Sequence, residues 1–277
     1  FRPGELLSTL FYYRNYYMVY FRGDVAAQCT KVFDIVWSLA IEEHFYIVFP
    51  LVFIAFCKRP GQLIFLMAAG VLAVLAWRVY LAATQDMNEI TVYKIYHLTE
   101  TRADAIMYGC LVSFILDSHR GADYLRFAGH RLTFGAAMAL LLFTFVYRDA
   151  TFRETYRYSL QGISMSLFVP AILYSRPYTP ILNVLNTAWL ATVGRLSYSI
   201  YMFHWFGVCV AEYLISPERR SLPWLLTALT LGLALSLFSY HFVEKPMNRL
   251  RKRFGSNVLT PNAVNPDVEI KSIPISS

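Results

Sequence analysis

Residues 37–50, Trp-Ser-Leu-Ala-Ile-Glu-Glu-His-Phe-Tyr-Ile-Val-Phe-Pro, carry Glu42, Glu43 and His44 inside an apolar run that continues to Phe56. At ~1.5 Å per residue a helix of this length crosses the hydrocarbon core of a bilayer. A charge near the bilayer centre costs at least ~2.5 kcal/mol even on lenient insertion scales, so such groups turn toward a bundle interior or a wet cavity. The segment therefore predicts a membrane-spanning helix that handles something polar at depth.

Composition extends that reading to the whole chain. Of its 277 residues, 57% are hydrophobic and 16% charged, against roughly 45–50% and about 25% in soluble domains. Seven apolar segments, at about 33–56, 62–83, 103–117, 132–147, 158–174, 190–214 and 222–243, predict an all-α, polytopic transmembrane bundle of about seven spans. The third is short for a span. Breaks such as Lys58-Arg-Pro-Gly61, Asp86-Met-Asn-Glu89 and Ser118-His-Arg-Gly121 carry the Pro, Gly and clustered charge of connections.

Three regions follow: an extracytoplasmic connecting segment (1–32), a transmembrane domain (33–245) and a basic, disordered cytoplasmic tail (246–277). The densest basic cluster, Arg249-Leu-Arg-Lys-Arg253, abuts the last apolar segment and fits a cytoplasmic anchor at anionic lipid. The net charge of +7 is accordingly not read as a nucleic-acid footprint. Four scattered cysteines without a CxxC offer no metal-ligand spacing. The chain opens at Phe1-Arg-Pro-Gly-Glu5 without an initiator Met, and further spans are expected upstream.

Four constellations can carry chemistry. On a helical wheel Glu42 shares a face with Ser38, Phe45 and Tyr46, Glu43 lies ~100° further round, and His44 falls close beneath Trp37. Glu42, Glu43 or both suit a general base or acceptor for a substrate hydroxyl; the structural alternative pairs them with an arginine on another helix. His44 reads as a packing histidine. In Gly194-Arg-Leu-Ser-Tyr-Ser-Ile-Tyr-Met-Phe-His-Trp205, Ser197, Tyr201 and His204 form one polar stripe. Ser197 and His204 are ~10 Å apart along the axis, too far for a nucleophile and its base, so His204 takes another partner or serves as a buried, satisfied histidine. In Thr99-Glu-Thr-Arg-Ala-Asp104, Thr101 and Asp104 match a capping box opening the third segment. Arg102 is left to clamp an anionic group or neutralise Glu42 or Glu43. Glu244, at a helix end before Pro246, opposes the helix dipole and calls for a salt-bridge partner.

Taken in order, these pieces resemble the membrane-bound acyltransferase-3 family. The resemblance rests on Trp37-Ser38-Leu39, Glu42-Glu43, Phe45-Tyr46 and Pro50; on Arg102-Ala-Asp104 with Gly109; on Gly194-Arg195-Leu-Ser-Tyr-Ser-Ile-Tyr201 with His204-Trp205; and on Val243-Glu244-Lys-Pro246. Asn15-Tyr16 falls where that family has an Asn-Tyr. The resemblance covers roughly residues 6–250. It implies a protein of about ten transmembrane helices in the bacterial inner membrane. It also implies transfer of an acyl group, commonly acetyl, from acyl-CoA to a sugar hydroxyl of a surface glycan, lipopolysaccharide or lipid-linked saccharide. No bound cofactor is implied; acyl-CoA, the glycan and membrane lipid are the partners. Glu42, Glu43 and His204 then become catalytic candidates, and Ser38, Arg102, Asp104, Arg195 and Tyr201 candidates for substrate binding. The family's early basic residue and histidine have no counterpart here.

Two other readings compete. A transporter or flippase of polar lipids or saccharides would also place acids and arginines at depth, but predicts internally symmetric halves that the sequence does not display. An inactive remnant lacking its first helices would carry the same motifs without turnover.

Overall fold

The computed structural model describes residues 3–21, 32–215 and 221–253. Among them are fifteen α-helices and no strand. They fall into two compact units, one within residues 1–26 and 36–182, the other within 27–35 and 183–277.

The first unit begins with two short helices, α1 (Pro3–Leu10) and α2 (Arg14–Tyr20). They meet at Tyr12, whose φ of 54° is the left-handed region that a bulky side chain seldom adopts. The buried Arg14 closes this corner, donating through Nη1 to the Glu5 carbonyl and the Ser8 hydroxyl, each at 3.3 Å. Next come two long apolar helices, α3 (Trp37–Phe56) and α4 (Pro60–Thr84). Pro60 takes the first turn of α4, where its missing N–H costs nothing and its fixed φ favours the helix.

Three helices then follow with single-residue breaks: α5 (Glu89–His97), α6 (Thr99–Arg102) and α7 (Asp104–Asp117). Asn88 caps α5, its side chain accepting from the Thr91 N–H at 3.0 Å. Leu98, extended at ψ 147°, separates α5 from α6. The remaining helices of this unit are α8 (Gly121–Gly129), α9 (Arg131–Val146), α10 (Ala150–Glu154) and α11 (Tyr156–Tyr174). Helix α11 is the hub, packing on α9, α8, α7 and α4. Helix α3 lays Phe45, Phe49 and Phe53, one per turn, toward Phe114 of α7, with successive ring centroids 5.0–6.3 Å apart.

Helix α12 (Thr179–Leu185) leads into the second unit, built on α13 (Ala188–Ile215) and α14 (Leu222–Ser239). A π-helical turn (Tyr240–Glu244) and α15 (Lys245–Arg253) complete it. Helices α13 and α14 approach closely because glycine lines the contact. A Cβ on Gly207 would run into the Ala228 carbonyl and the backbone of Gly232, the small-residue packing usual between membrane helices. The Ser236 hydroxyl lies 2.6 Å from the Gly232 carbonyl and 3.1 Å from that of Ser199 on the facing helix.

All seven apolar segments read from the sequence are helices. Among the described residues three helices are long and apolar enough to cross a membrane: Phe33–Phe56, Pro60–Thr84 and Leu222–Arg251. A fourth arises if α8 and α9, bent by 71°, are counted as one broken span. Helix α7 is 14 residues long, about 21 Å at 1.5 Å per residue, well short of a bilayer core. The expected tail starts as helix α15; residues 254–277 lie outside the described residues.

One buried pair ties this unit together. Arg78, at 0% exposure in the C-terminal third of α4, donates to the Asp104 carboxylate at 2.6 Å, the Thr101 carbonyl at 2.6 Å and the Ser159 hydroxyl at 2.7 Å. Removing one member of a buried pair leaves the other uncompensated, at a cost of about 3–5 kcal/mol, whereas replacing both by apolar residues is far milder. Asp104→Ala is therefore expected to lose about that much stability in detergent unfolding, and the pair Arg78→Leu with Asp104→Leu to lose distinctly less.

Candidate functional site

Glu42 and Glu43 are half-buried on α3, one turn above Tyr46, which lies within electrostatic reach of both and of Cys110. Among the described residues neither carboxylate forms an ion pair with an arginine. Their expected countercharge, Arg102, is engaged elsewhere. Ser38 sits a turn earlier on the same face, also half-buried.

His44 lies on another face and gathers a network of its own. Its Nδ1 is 2.8 Å from the Thr99 hydroxyl, which also accepts from the Asn15 amide at 2.9 Å. The Asn15 amide, the Thr99 hydroxyl and the His44 ring form one chain of hydrogen bonds. The Tyr12 backbone carbonyl is the ring's second partner. The left-handed turn at Tyr12, α3 and α6 are thus joined through one imidazole. Tyr16 packs against the same ring, 5.8 Å between centroids, and donates its hydroxyl to Glu100 at 2.8 Å. Nearby, Trp37 packs against His97 and Tyr96, with centroids 4.8 and 5.1 Å apart.

A third cluster surrounds Tyr158. The guanidinium carbons of Arg102, Arg157 and Arg78 stand 3.9, 4.9 and 5.5 Å from its ring centroid, within cation–π range. Its hydroxyl donates to buried Glu154 at 2.9 Å and accepts from Arg157 at 3.1 Å. Beside it opens a cavity of about 590 Å³ between α7, α9 and α11, with Arg102, Tyr158 and Gln161 among its polar lining.

The capping box expected at α7 is absent. Thr101 donates to the Leu98 carbonyl at 2.8 Å instead, and Asp104 is held by Arg78. The fully buried Arg78 outweighs a helix cap, because a buried charge demands a counter-charge. Arg78 is the residue that sequence reasoning missed. Its signal was a lone cation inside the apolar segment 62–83.

The second unit holds the remaining candidates. Tyr201 donates to the Ile35 carbonyl at 3.1 Å. His204 is exposed and places Nδ1 2.6 Å from the Tyr201 carbonyl and 3.2 Å from that of Ile200, which holds the proton on Nδ1. Ser197 is exposed, as is Arg195, which donates to Thr192 at 2.8 Å. Glu244 takes its hydrogen bond from the Ser199 hydroxyl at 2.9 Å, a neutral donor where a salt bridge was expected. The π-helical turn rotates Glu244 toward α13, so a serine meets it before any cation does.

Residues 6–241 match the acyltransferase-3 family, described as an acyltransferase domain. The chain belongs to this family. The family and the long apolar helices define a multi-pass membrane protein. Among its relatives, the proposed peptidoglycan O-acetyltransferase YrhL of Bacillus subtilis is 26% identical over 88% of this chain and 39% of its own length. Peptidoglycan O-acetyltransferase OatA of Listeria monocytogenes is 21% identical, over 89% of this chain and 40% of its own. O-acetyltransferase OatA of Staphylococcus aureus is 26% identical, over 88% and 41%. The chain thus spans about two fifths of the length of these relatives. No solved structure matches it.

Burial, and then donation to Glu100, push the Tyr16 hydroxyl up from 10.0 to about 12. Its folded value is raised, so its contribution to stability is complete below pH 10 and lost as pH rises through about 12. Ultraviolet tyrosinate titration is expected to show a late component whose amplitude falls by about one tyrosine in Tyr16→Phe.

Proposed function

We propose that this chain forms the membrane domain of an O-acetyltransferase of the bacterial plasma membrane. It moves an acetyl group from acetyl-CoA to a sugar hydroxyl of peptidoglycan or its lipid-linked precursor. The observation that carries this reading is the family match over residues 6–241, joined by relatives named for peptidoglycan O-acetylation.

Glu42 and Glu43 are the proposed bases. They are the acids of α3 at membrane depth, they face no arginine among the described residues, and a carboxylate without a countercharge stays available to accept a proton. The acceptor hydroxyl oxygen bonds to the acetyl carbonyl carbon as its proton passes to the carboxylate. The carbon–sulfur bond breaks, and the departing thiolate takes up a proton as free CoA. Ser38, on the Glu42 face, is proposed to orient the hydroxyl. Tyr201, His204 and Arg195 are proposed as substrate contacts of the second unit on the family signature alone.

Replacing Glu42 and Glu43 together by Gln keeps size and polarity but removes the base. In the whole protein, acetyl-ester formation on glycan is expected to fall by ~10²-fold or more at normal membrane abundance. Undiminished transfer would exclude both acids as bases.

A further inference from the structure

The cluster at Tyr158 is unbalanced in charge. It holds three guanidinium groups, Arg78, Arg102 and Arg157, against two carboxylates. Asp104 is committed to Arg78, and Glu154 takes the Tyr158 hydroxyl. Arg102 is left with ring faces alone, and its Nη1 is buried with no hydrogen-bond partner among the described residues. A buried charged donor without an acceptor is costly, and a ligand oxygen would satisfy it.

Arg102 also lines the 590 Å³ cavity, a volume within the range of ligand sites. Beyond Arg102, Asp104, Tyr158, Gln161 and Ser166 the walls are largely apolar, with Val112, Leu141 and Met165 among them. At the rim Phe145 of α9 is 60% exposed and Val169 of α11 is 45% exposed. Helix α9 belongs to the bent pair that would form a fourth span, so a mouth beside it suits lipid better than water. A soluble anion would satisfy Arg102 and leave the apolar wall unmatched.

We propose that the cavity seats one acyl chain of an anionic membrane phospholipid whose phosphate pairs with Arg102. A planar guanidinium offers two parallel donors to a phosphate. The stacked Tyr158 ring holds that guanidinium in place, and α7, α9 and α11 wrap the chain. The site is separate from Glu42 and Glu43 and does not rest on the acetyl-transfer reading, because lipid retention is measured without turnover.

The test is native mass spectrometry of the chain in mild detergent, titrated with phosphatidylglycerol or phosphatidylcholine. One phosphatidylglycerol is expected to remain bound, with phosphatidylcholine lost. Arg102→Gln is expected to weaken retention about tenfold or more by removing the phosphate partner. Gly109→Leu should do the same by filling the cavity. A Cβ at Gly109 meets nothing within 4 Å, so this variant keeps its fold should Arg102→Gln lose it. Equal retention of both lipids by the unaltered chain would overturn the proposal, as would unchanged phosphatidylglycerol binding in Gly109→Leu. Displacement of the lipid by stoichiometric acetyl-CoA would overturn it too, assigning the cavity to the acyl donor.

Discussion

The first unit turns on a cation that has no business in hydrocarbon. Arg78 sits at 0% exposure in the C-terminal third of the 25-residue α4, where a paired carboxylate and further acceptors make it tolerable. Asp104, the Thr101 carbonyl and Ser159 supply that satisfaction from α7, α6 and α11. Four helices are fixed in register by one side chain. Packing alone would set them less sharply, since lipid tails are as apolar as the helix faces and give little hydrophobic drive.

The network also sorts the polar residues by what they can do. Asp104 is used up in holding Arg78. His44 is used up in joining Thr99, Asn15 and the turn at Tyr12. Glu42 and Glu43 carry no such obligation to an arginine, and Arg102 keeps a donor without an acceptor. Groups left uncommitted inside a bundle are where a reacting hydroxyl or a bound anion gains most, because the protein has not already neutralised them.

The long helices were legible because their signal is mass of apolar side chains, and that signal survives without knowledge of neighbours. Segments 33–56 and 62–83 agree with Phe33–Phe56 and Pro60–Thr84 to within two residues at each end. The short helices α1, α2, α5, α6, α8 and α10 were not read, being too brief and polar to show a period of 3.6. The count of about seven spans is not confirmed among the described residues: α7 is short, α8 breaks away from α9 at 71°, and α11 and α13 are long but not apolar enough. Pairwise chemistry was the hardest to see. Thr101 and Asp104 have the spacing of a capping box, yet a partner 26 residues upstream claims the acid. Glu244 was read as needing a cation, and a serine 45 residues upstream meets it. Such competition is decided by tertiary burial, which spacing does not encode.

The activity proposed for the whole protein is acetyl transfer, not passage of a solute. Proteoliposomes bearing the chain within its whole protein, supplied with labelled acetyl-CoA outside and lipid-linked glycan in the bilayer, test it most directly. The account predicts base-labile label on the glycan and stoichiometric release of CoA. Glycan moved across the bilayer with no ester formed and no CoA released would contradict it.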